Sequence, residues 1–406
     1  MITNLNASFS NISNNIKRSA IREILKLTQN PEVISFAGGL PAPESFPVND
    51  LNEIVSTLLK EDGPASLQYD ATEGILELRE LLVEKYRAEG INCTLQNLII
   101  TTASQQGLDL VGKIFINNND SIICGSPSYL GGISAFTSYG AKIHSIELDE
   151  FGLRADLLEQ KLKELQKAGT KPKFIYIIPD FQNPTGITMP ESRRLEIIAL
   201  AHIYDILIVE DSPYREIRFE GQTQRTMYEL DKDNHVITLG TFSKIVAPGF
   251  RIGWVLAPPE INEKIVIAKQ STDLCTPTFV QKIAVRYMKS PYFLTNLNKT
   301  IELYKHRRNV MINQLERNMP KGVTWTVPEG GLFLFLTLPE HMDAEQLFYK
   351  AVENKVAFVL GKVFYSNGKI TNTLRLNFSY VNDEKTILGI QRLSYLIQRE
   401  LQLCVV

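Results

Sequence analysis

Seven short runs rich in β-branched and aliphatic residues, most of them apolar almost end to end, constrain this chain more than any other feature. They fall at 98–102, 121–124, 142–148, 173–178, 206–210, 236–239 and 252–256. A strand with one wet face alternates apolar and polar residues, whereas a strand apolar throughout is covered on both faces. Helical patterns lie between several of the runs, at 105–116, 155–167 and 191–204. Buried strands spaced by helices build a mostly parallel sheet with helices on both sides. The expected fold class is α/β, with a large domain over 65–290 carrying a mostly parallel seven-stranded sheet.

The pattern changes after a long helical stretch at about 285–318. Residues 323–327 and 331–338 alternate like antiparallel strands, and 345–354 is helical. Strands follow near 357–359 and 373–378, then a helix from Asp383. This predicts a smaller α+β domain over 291–406. Residues 1–18 form an N-terminal arm. In 19–27, apolar residues at 21, 24, 25 and 27 predict a short amphipathic helix with Ile21, Ile24 and Leu25 on its apolar face. The segment 19–64 is expected to pack with the small domain. Its Pro- and Gly-rich stretch 38–47 is interrupted by apolar residues, as in an ordered loop.

Composition narrows the function. Lys+Arg number 43 against 45 Asp+Glu, a net charge of −2, so nucleic acid is not the expected partner. No apolar run approaches the roughly 18 residues that span a bilayer, and the polar N-terminus lacks the apolar core of a signal peptide. Cys93, Cys124, Cys275 and Cys404 stand far apart and form no CxxC pair, which fits reduced thiols in the cytoplasm. The five histidines are scattered, with no HExxH, so no metal site is expected.

Chemistry-bearing residues gather just after the runs, where open α/β sheets bind ligands. Run 236–239 leads into Gly240-Thr241-Phe242-Ser243-Lys244, then Pro248-Gly249-Phe250-Arg251-Ile252-Gly253. Hydroxyls and an arginine hold a phosphate dianion through charge-assisted hydrogen bonds, and a lysine beside them is a candidate Schiff-base nucleophile. Alone, Lys244 would be an ordinary surface lysine. Four other strand ends match it. Glu210 leads into Asp211-Ser212-Pro213-Tyr214, a carboxylate to pair with a protonated ring nitrogen and a phenol to donate to a ring oxygen. Run 173–178 leads into Gln182-Asn183-Pro184-Thr185-Gly186, a turn that fixes an amide donor. Run 98–102 leads into Ala103-Ser104-Gln105 and a helix, with Ser104 as its expected cap and a phosphate site at its start. Run 121–124 leads into Ser126-Pro127-Ser128-Tyr129, which sets an aromatic ring over a flat group. A P-loop look-alike at 107–113 has Ile114 where the magnesium ligand belongs, and no GxGxxG follows a strand.

In that order, Gln-Asn-Pro-Thr-Gly, Glu-Asp-Ser-Pro-Tyr, Ser-Lys and Pro-Gly-Phe-Arg-Ile-Gly resemble the pyridoxal-phosphate-dependent aminotransferases of fold type I, classes I and II. The resemblance covers nearly the whole chain from Ser19. It is nearest to the 2-aminoadipate/kynurenine aminotransferase branch, through 21–29, 35–43, 68–69 and 104–107. It implies pyridoxal 5'-phosphate as cofactor and ping-pong transfer between an L-amino acid and a 2-oxo acid. By the same resemblance Lys244 carries the cofactor covalently and Asp211 keeps its ring nitrogen protonated. Tyr214 and Asn183 contact the ring O3′, and Tyr129 stacks on the ring. Ser104, Gln105, Thr241, Ser243 and Arg251 bind the phosphate. Tyr69 reaches the phosphate of the other subunit, which implies a homodimer with shared sites. Arg375 and the backbone of Gly39, beside Asn183, take the substrate α-carboxylate. Arg22, aided by Ser19, meets a distal carboxylate such as that of 2-aminoadipate or glutamate, with 2-oxoglutarate as acceptor; a neutral or aromatic amino acid is the other expectation.

Three places depart from the family pattern. Gly125 stands where relatives often have an acid, Ser212 replaces a frequent Asp, and the common prolines at 360 and 363 are Leu360 and Val363. Two other activities share the scaffold. A pyridoxal-phosphate β-lyase would use the same cofactor residues. The aminotransferase-like effector domain of GntR-type regulators is disfavoured, because no helix-turn-helix precedes Ser19.

Overall fold

The computed structural model describes residues 5–16, 30–366 and 368–403. After β1 (Ile34–Ser35), eight strands form one sheet: β2 (Leu98–Thr101), β3 (Ser121–Ser126), β4 (Lys142–Asp149), β5 (Gly152–Leu153), β6 (Phe174–Ile177), β7 (Leu207–Asp211), β8 (Val236–Thr241) and β9 (Gly253–Leu256). Their order across the sheet is β2-β9-β8-β7-β6-β3-β4-β5. All seven expected runs are strands; β5 is an added two-residue edge.

Strand directions bring the site together. β3–β4, β3–β6, β6–β7 and β7–β8 pair in parallel. β9 runs antiparallel to both β8 and β2, as a direct connection with no crossover helix allows. The carboxyl ends of β2, β3, β6, β7 and β8 therefore meet one edge, and so does the amino end of β9. Chain order reverses between β6 and β3, which opens a ligand crevice at that edge.

Glycine makes the edge compact. A Cβ on Gly253 would sit 2.6 Å from both the Ala103 carbonyl carbon and the Ser104 amide nitrogen. Only glycine lets β9 lie against the start of the helix Ala103–Phe115. The P-loop look-alike lies inside this helix, with Gly107 packed on Leu239 and Val255. Leu108 and Val111 of that helix cover one sheet face. Leu158, Leu162, Ile197 and Ile198, from the helices Ala155–Lys167 and Glu191–Tyr204, cover the other. Burying each such side chain contributes about 1.5–3 kcal/mol.

The smaller unit holds β10 (Thr324–Trp325), β11 (Phe333–Thr337), β12 (Val356–Ala357), β13 (Val359–Leu360) and β14 (Thr373–Asn377). An antiparallel sheet orders them β10-β11-β14-β13, while β12 pairs with β1. The N-terminal segment is thus stitched to this unit. Phe36 donates its N–H to Ala357 and accepts one from Asn377.

Three expectations need correction. The helical stretch at 285–318 is two helices, Thr278–Lys289 and Tyr292–Asn318. Pro291 drives Ser290 into extended geometry and breaks them apart. Ser104 is not the cap of its helix: Thr102 holds that position, and Ser104 lies in the first turn. Within the expected arm, Asn11–Asn15 forms a helical turn capped by Ser10. The amphipathic helix expected at 19–27 lies outside the described residues. Among the described residues, no helix is long and apolar enough to cross a membrane.

Candidate active site

Asp211 ends β7 and is 2% exposed. The Tyr176 hydroxyl, from β6, donates to its Oδ2 at 2.8 Å. Its Oδ1 is buried with no partner. Burial pushes this carboxyl up to about 6, although the Tyr176 hydrogen bond opposes the shift. A buried carboxylate with one bare oxygen calls for a cationic or N–H partner.

Lys244 follows β8 and donates from Nζ to the Gly39 carbonyl at 2.9 Å. Burial first, then the positive charges of Arg375 and Arg251, bring its ammonium down to about 8. Arg375, from β14, is 2% exposed. It donates to Asn183 Oδ1 and to the Ala37 carbonyl, each at 2.8 Å. Its Nε is buried and unpaired, and burial lowers its pKa to about 10. The guanidinium lies 4.0 Å from the Phe333 ring centroid and 5.1 Å from that of Phe364. Tyr214 meets Phe333 edge-on and hydrogen-bonds Asn183, and burial raises its phenol strongly.

A hydroxyl and amide cup lies beside them. Thr241 Oγ1 donates to Ser243 Oγ at 2.9 Å and accepts from the Ser243 N–H at 3.1 Å. Arg251, in left-handed geometry just before β9, reaches Ser243 Oγ at 3.5 Å. Ser104 and Gln105 lie in the first turn of their helix, where backbone N–H groups lack helical partners. The Tyr129 hydroxyl donates to Gln105 Oε1 at 3.3 Å, and Gln105 Nε2 donates to the Gly131 carbonyl.

The expected residues Lys244, Asp211, Asn183, Tyr214, Arg375 and Gly39 thus share one crevice, with Thr241, Ser243, Arg251, Ser104, Gln105 and Tyr129 along its edge. Tyr69 stands apart on a loop, 77% exposed. Ser19 and Arg22 lie outside the described residues. Gly125 packs closely: a Cβ there would meet Leu148 Cδ2 at 3.0 Å, so a larger residue needs the end of that leucine to shift. Tyr176, Phe333 and Phe364 were not anticipated. In the sequence they look like core. The one available signal was a buried phenol in an apolar strand, which needs a hydrogen-bond partner.

The chain matches the aminotransferase class I and II family over residues 33–393. It is 47% identical to an aromatic-amino-acid aminotransferase of Thermococcus litoralis, over 97% of this chain and 95% of that one. A multiple-substrate aminotransferase from Thermococcus profundus superposes with a TM-score of 0.94 at 45% identity, covering 98% of this chain and 99% of its own. An alpha-aminoadipate aminotransferase from Thermus thermophilus, solved with N-(5'-phosphopyridoxyl)-L-leucine, superposes with a TM-score of 0.91 at 36% identity, over 98% and 99%. This chain belongs to the class I and II aminotransferases of fold type I. It is a pyridoxal-phosphate-dependent transaminase, within the branch that includes the aromatic, 2-aminoadipate and kynurenine enzymes.

The crevice fits that cofactor. The bare Asp211 oxygen suits a protonated ring nitrogen, the depressed lysine suits a carbonyl carbon, and the hydroxyl cup suits a phosphate. Tyr176 then acts as a positioning residue through Asp211. In Tyr176→Phe the carboxylate loses the hydrogen bond that favours its charged form. The acid limb of the amino-donor half-reaction should move up by about one pH unit, since such a bond is worth ~1.5 kcal/mol or more and 1.36 kcal/mol is one unit. A pH profile of the bound cofactor's absorbance checks this. An unmoved limb would make Tyr176 a packing residue only.

Proposed function

We propose that the chain transfers the amino group of an L-amino acid to 2-oxoglutarate by a ping-pong sequence, with aromatic amino acids as preferred donors. The observation that carries this reading is Arg375, buried between the rings of Phe333 and Phe364 with Nε unpaired, and close enough to Lys244 to depress its pKa. A substrate carboxylate on Arg375 would bring Cα beside the lysine and an aromatic side chain beside those rings. The aromatic-amino-acid aminotransferase of Thermococcus litoralis, 47% identical, supports the same substrate class.

Bound pyridoxal phosphate supplies an electron sink for the charge left at Cα. Lys244, brought near neutrality, takes the Cα proton and returns it on the cofactor side as general base and acid. Asp211 Oδ1, buried and unpartnered, would pair with the ring nitrogen. Asn183, whose Oδ1 is held by Arg375, and Tyr214 would donate to the ring oxygen. Thr241, Ser243, Arg251, Ser104 and Gln105 would hold the phosphate, and Tyr129 would cover the ring. Gly39 lends its backbone to the α-carboxylate. Tyr69, exposed in the single chain, reaches the phosphate of a second subunit, so the working unit is a homodimer with shared sites.

The test is a half-reaction screen in which the absorbance of the bound cofactor is followed with each donor. Phenylalanine and tyrosine should give the highest kcat/KM. Arg22→Gln addresses the acidic alternative. A direct contact to a distal carboxylate predicts a loss confined to 2-aminoadipate and glutamate, roughly tenfold for each 1.4 kcal/mol. An equal small change with phenylalanine and 2-aminoadipate would remove Arg22 from the substrate site.

A further inference from the structure

We propose a divalent transition-metal site formed by His202, Asp231 and His235, at the opposite edge of the sheet from Lys244. His202 lies in the last turn of the helix Glu191–Tyr204. His235 immediately precedes β8, and Asp231 follows the short helix Met227–Leu230. One ring nitrogen of each histidine and one Asp231 oxygen all lie within 4.8 Å of one another. The two rings are tilted by 51°, with centroids 4.7 Å apart.

Two features separate this cluster from a surface coincidence. Asp231 is a built ligand: its side chain is 3% exposed, and the His235 N–H holds Oδ2 at 2.6 Å. His235 Nδ1 is buried with no hydrogen-bond partner. A hydrogen bond between His202 Nε2 and Asp231 Oδ1, 2.8 Å apart, explains those two residues as a clamp on the helix end. It leaves the His235 nitrogen unsatisfied, a cost a metal would remove. Asp233 lies 3.3 Å from His202 Nδ1 and Asp205 lies 3.6 Å from His235 Nε2, so each ring also has a carboxylate to orient it. Lys171 pairs with the outer oxygen of Asp205.

The donor set selects the ion. Two imidazoles and one carboxylate suit Zn²⁺, Co²⁺ or Ni²⁺, whereas Mg²⁺ and Ca²⁺ want oxygens. Zinc binds these atoms at about 2.0–2.2 Å and so sets them roughly 3.4 Å apart; the 2.8 Å His202–Asp231 pair opens slightly while the His235 nitrogen closes in, a side-chain movement. The incoming ion replaces the hydrogen bond between His202 Nε2 and Asp231, and the neutral ring then carries its N–H on Nδ1, which faces Asp233. The bound ion would pin the end of one helix to the strand that leads to Thr241 and Lys244. Its effect is on stability, because the site stands a full strand length from the chemistry.

The experiment uses the chelator-treated, cofactor-loaded enzyme, titrated with Zn²⁺ by calorimetry and with Co²⁺ by visible absorbance. Expected are one ion per chain, a raised Tm in Zn²⁺ and unchanged transaminase turnover. His202→Gln and His235→Gln should each weaken binding at least tenfold, while Cys275→Ser leaves it intact. His202 sits at a half-exposed helix end, so that variant should keep full turnover, which certifies its fold. No saturable binding, or binding indifferent to both histidine variants, overturns the site and leaves the His202–Asp231 clamp alone.

Discussion

Lys244→Ala should lower transamination by on the order of 10⁴-fold or more while leaving a folded protein, because it removes nucleophile and base together. The cup of Thr241, Ser243, Arg251 and the helix start is untouched, so the cofactor should still bind, without its covalent link. The structure adds an effect that catalysis alone would not reveal. Burial and two neighbouring arginines bring the ammonium from 10.5 to about 8. A lysine whose folded pKa is depressed destabilises the fold where it is charged. That cost is fully present below pH 8 and fades as pH rises toward 10.5. Cofactor-free Lys244→Ala should therefore melt higher than cofactor-free wild type at pH 7, by up to a few kcal/mol of stability, and the difference should vanish near pH 10. Denaturant titration at the two pH values measures it. Near-normal turnover, or a stability difference independent of pH, would contradict the placement of Lys244.

Much of this arrangement was legible because buried parallel strands carry an unambiguous signature. Runs such as 173–178 and 206–210 cannot face water on either side, and their ends carry the polar residues. Direction was not legible. Nothing in Ile252-Gly253-Trp254-Val255-Leu256 says that β9 runs against its neighbours, yet that reversal brings Arg251 to the same edge as Ser243. The stretch 285–318 reads as one helical pattern, and the proline inside it, Pro291, is the residue that divides it. The site was read from strand-end residues together with the family resemblance, which alone supplied Arg375, Gly39 and Tyr69. Tyr176 was missed because a tyrosine in an apolar strand has two explanations, core packing and hydrogen bonding, and only the position of Asp211 on the neighbouring strand decides between them. Phe333 was hidden for a similar reason: its contact with Arg375 joins residues on two paired strands of the small sheet. His202 and His235 meet only because a helix end and a strand start lie side by side.

Asp211→Asn should slow proton removal from Cα by on the order of 10²–10³-fold, as loss of a charge aimed at the reacting group does, with the cofactor still bound. The geometry gives the reason. The Tyr176 hydroxyl is a donor at Oδ2, so it would select the amide oxygen of the asparagine and turn the amide N–H₂ toward the ring nitrogen. A donor there favours the unprotonated ring, the state that accepts electrons poorly. Stability should change in the other direction. Burial raises the Asp211 carboxyl from 3.8 to about 6. For an acid this means the folded state keeps its proton longer than the unfolded chain, so stability falls as pH rises from about 4 to 6 and stays lower above it. Cofactor-free Asp211→Asn should lack that decline and exceed cofactor-free wild type by on the order of 2–3 kcal/mol at pH 7. Cofactor binding should reverse the order, since the ring cation then answers the buried carboxylate only in the wild type. An unchanged half-reaction rate together with unchanged stability profiles would reduce Asp211 to the end of a strand.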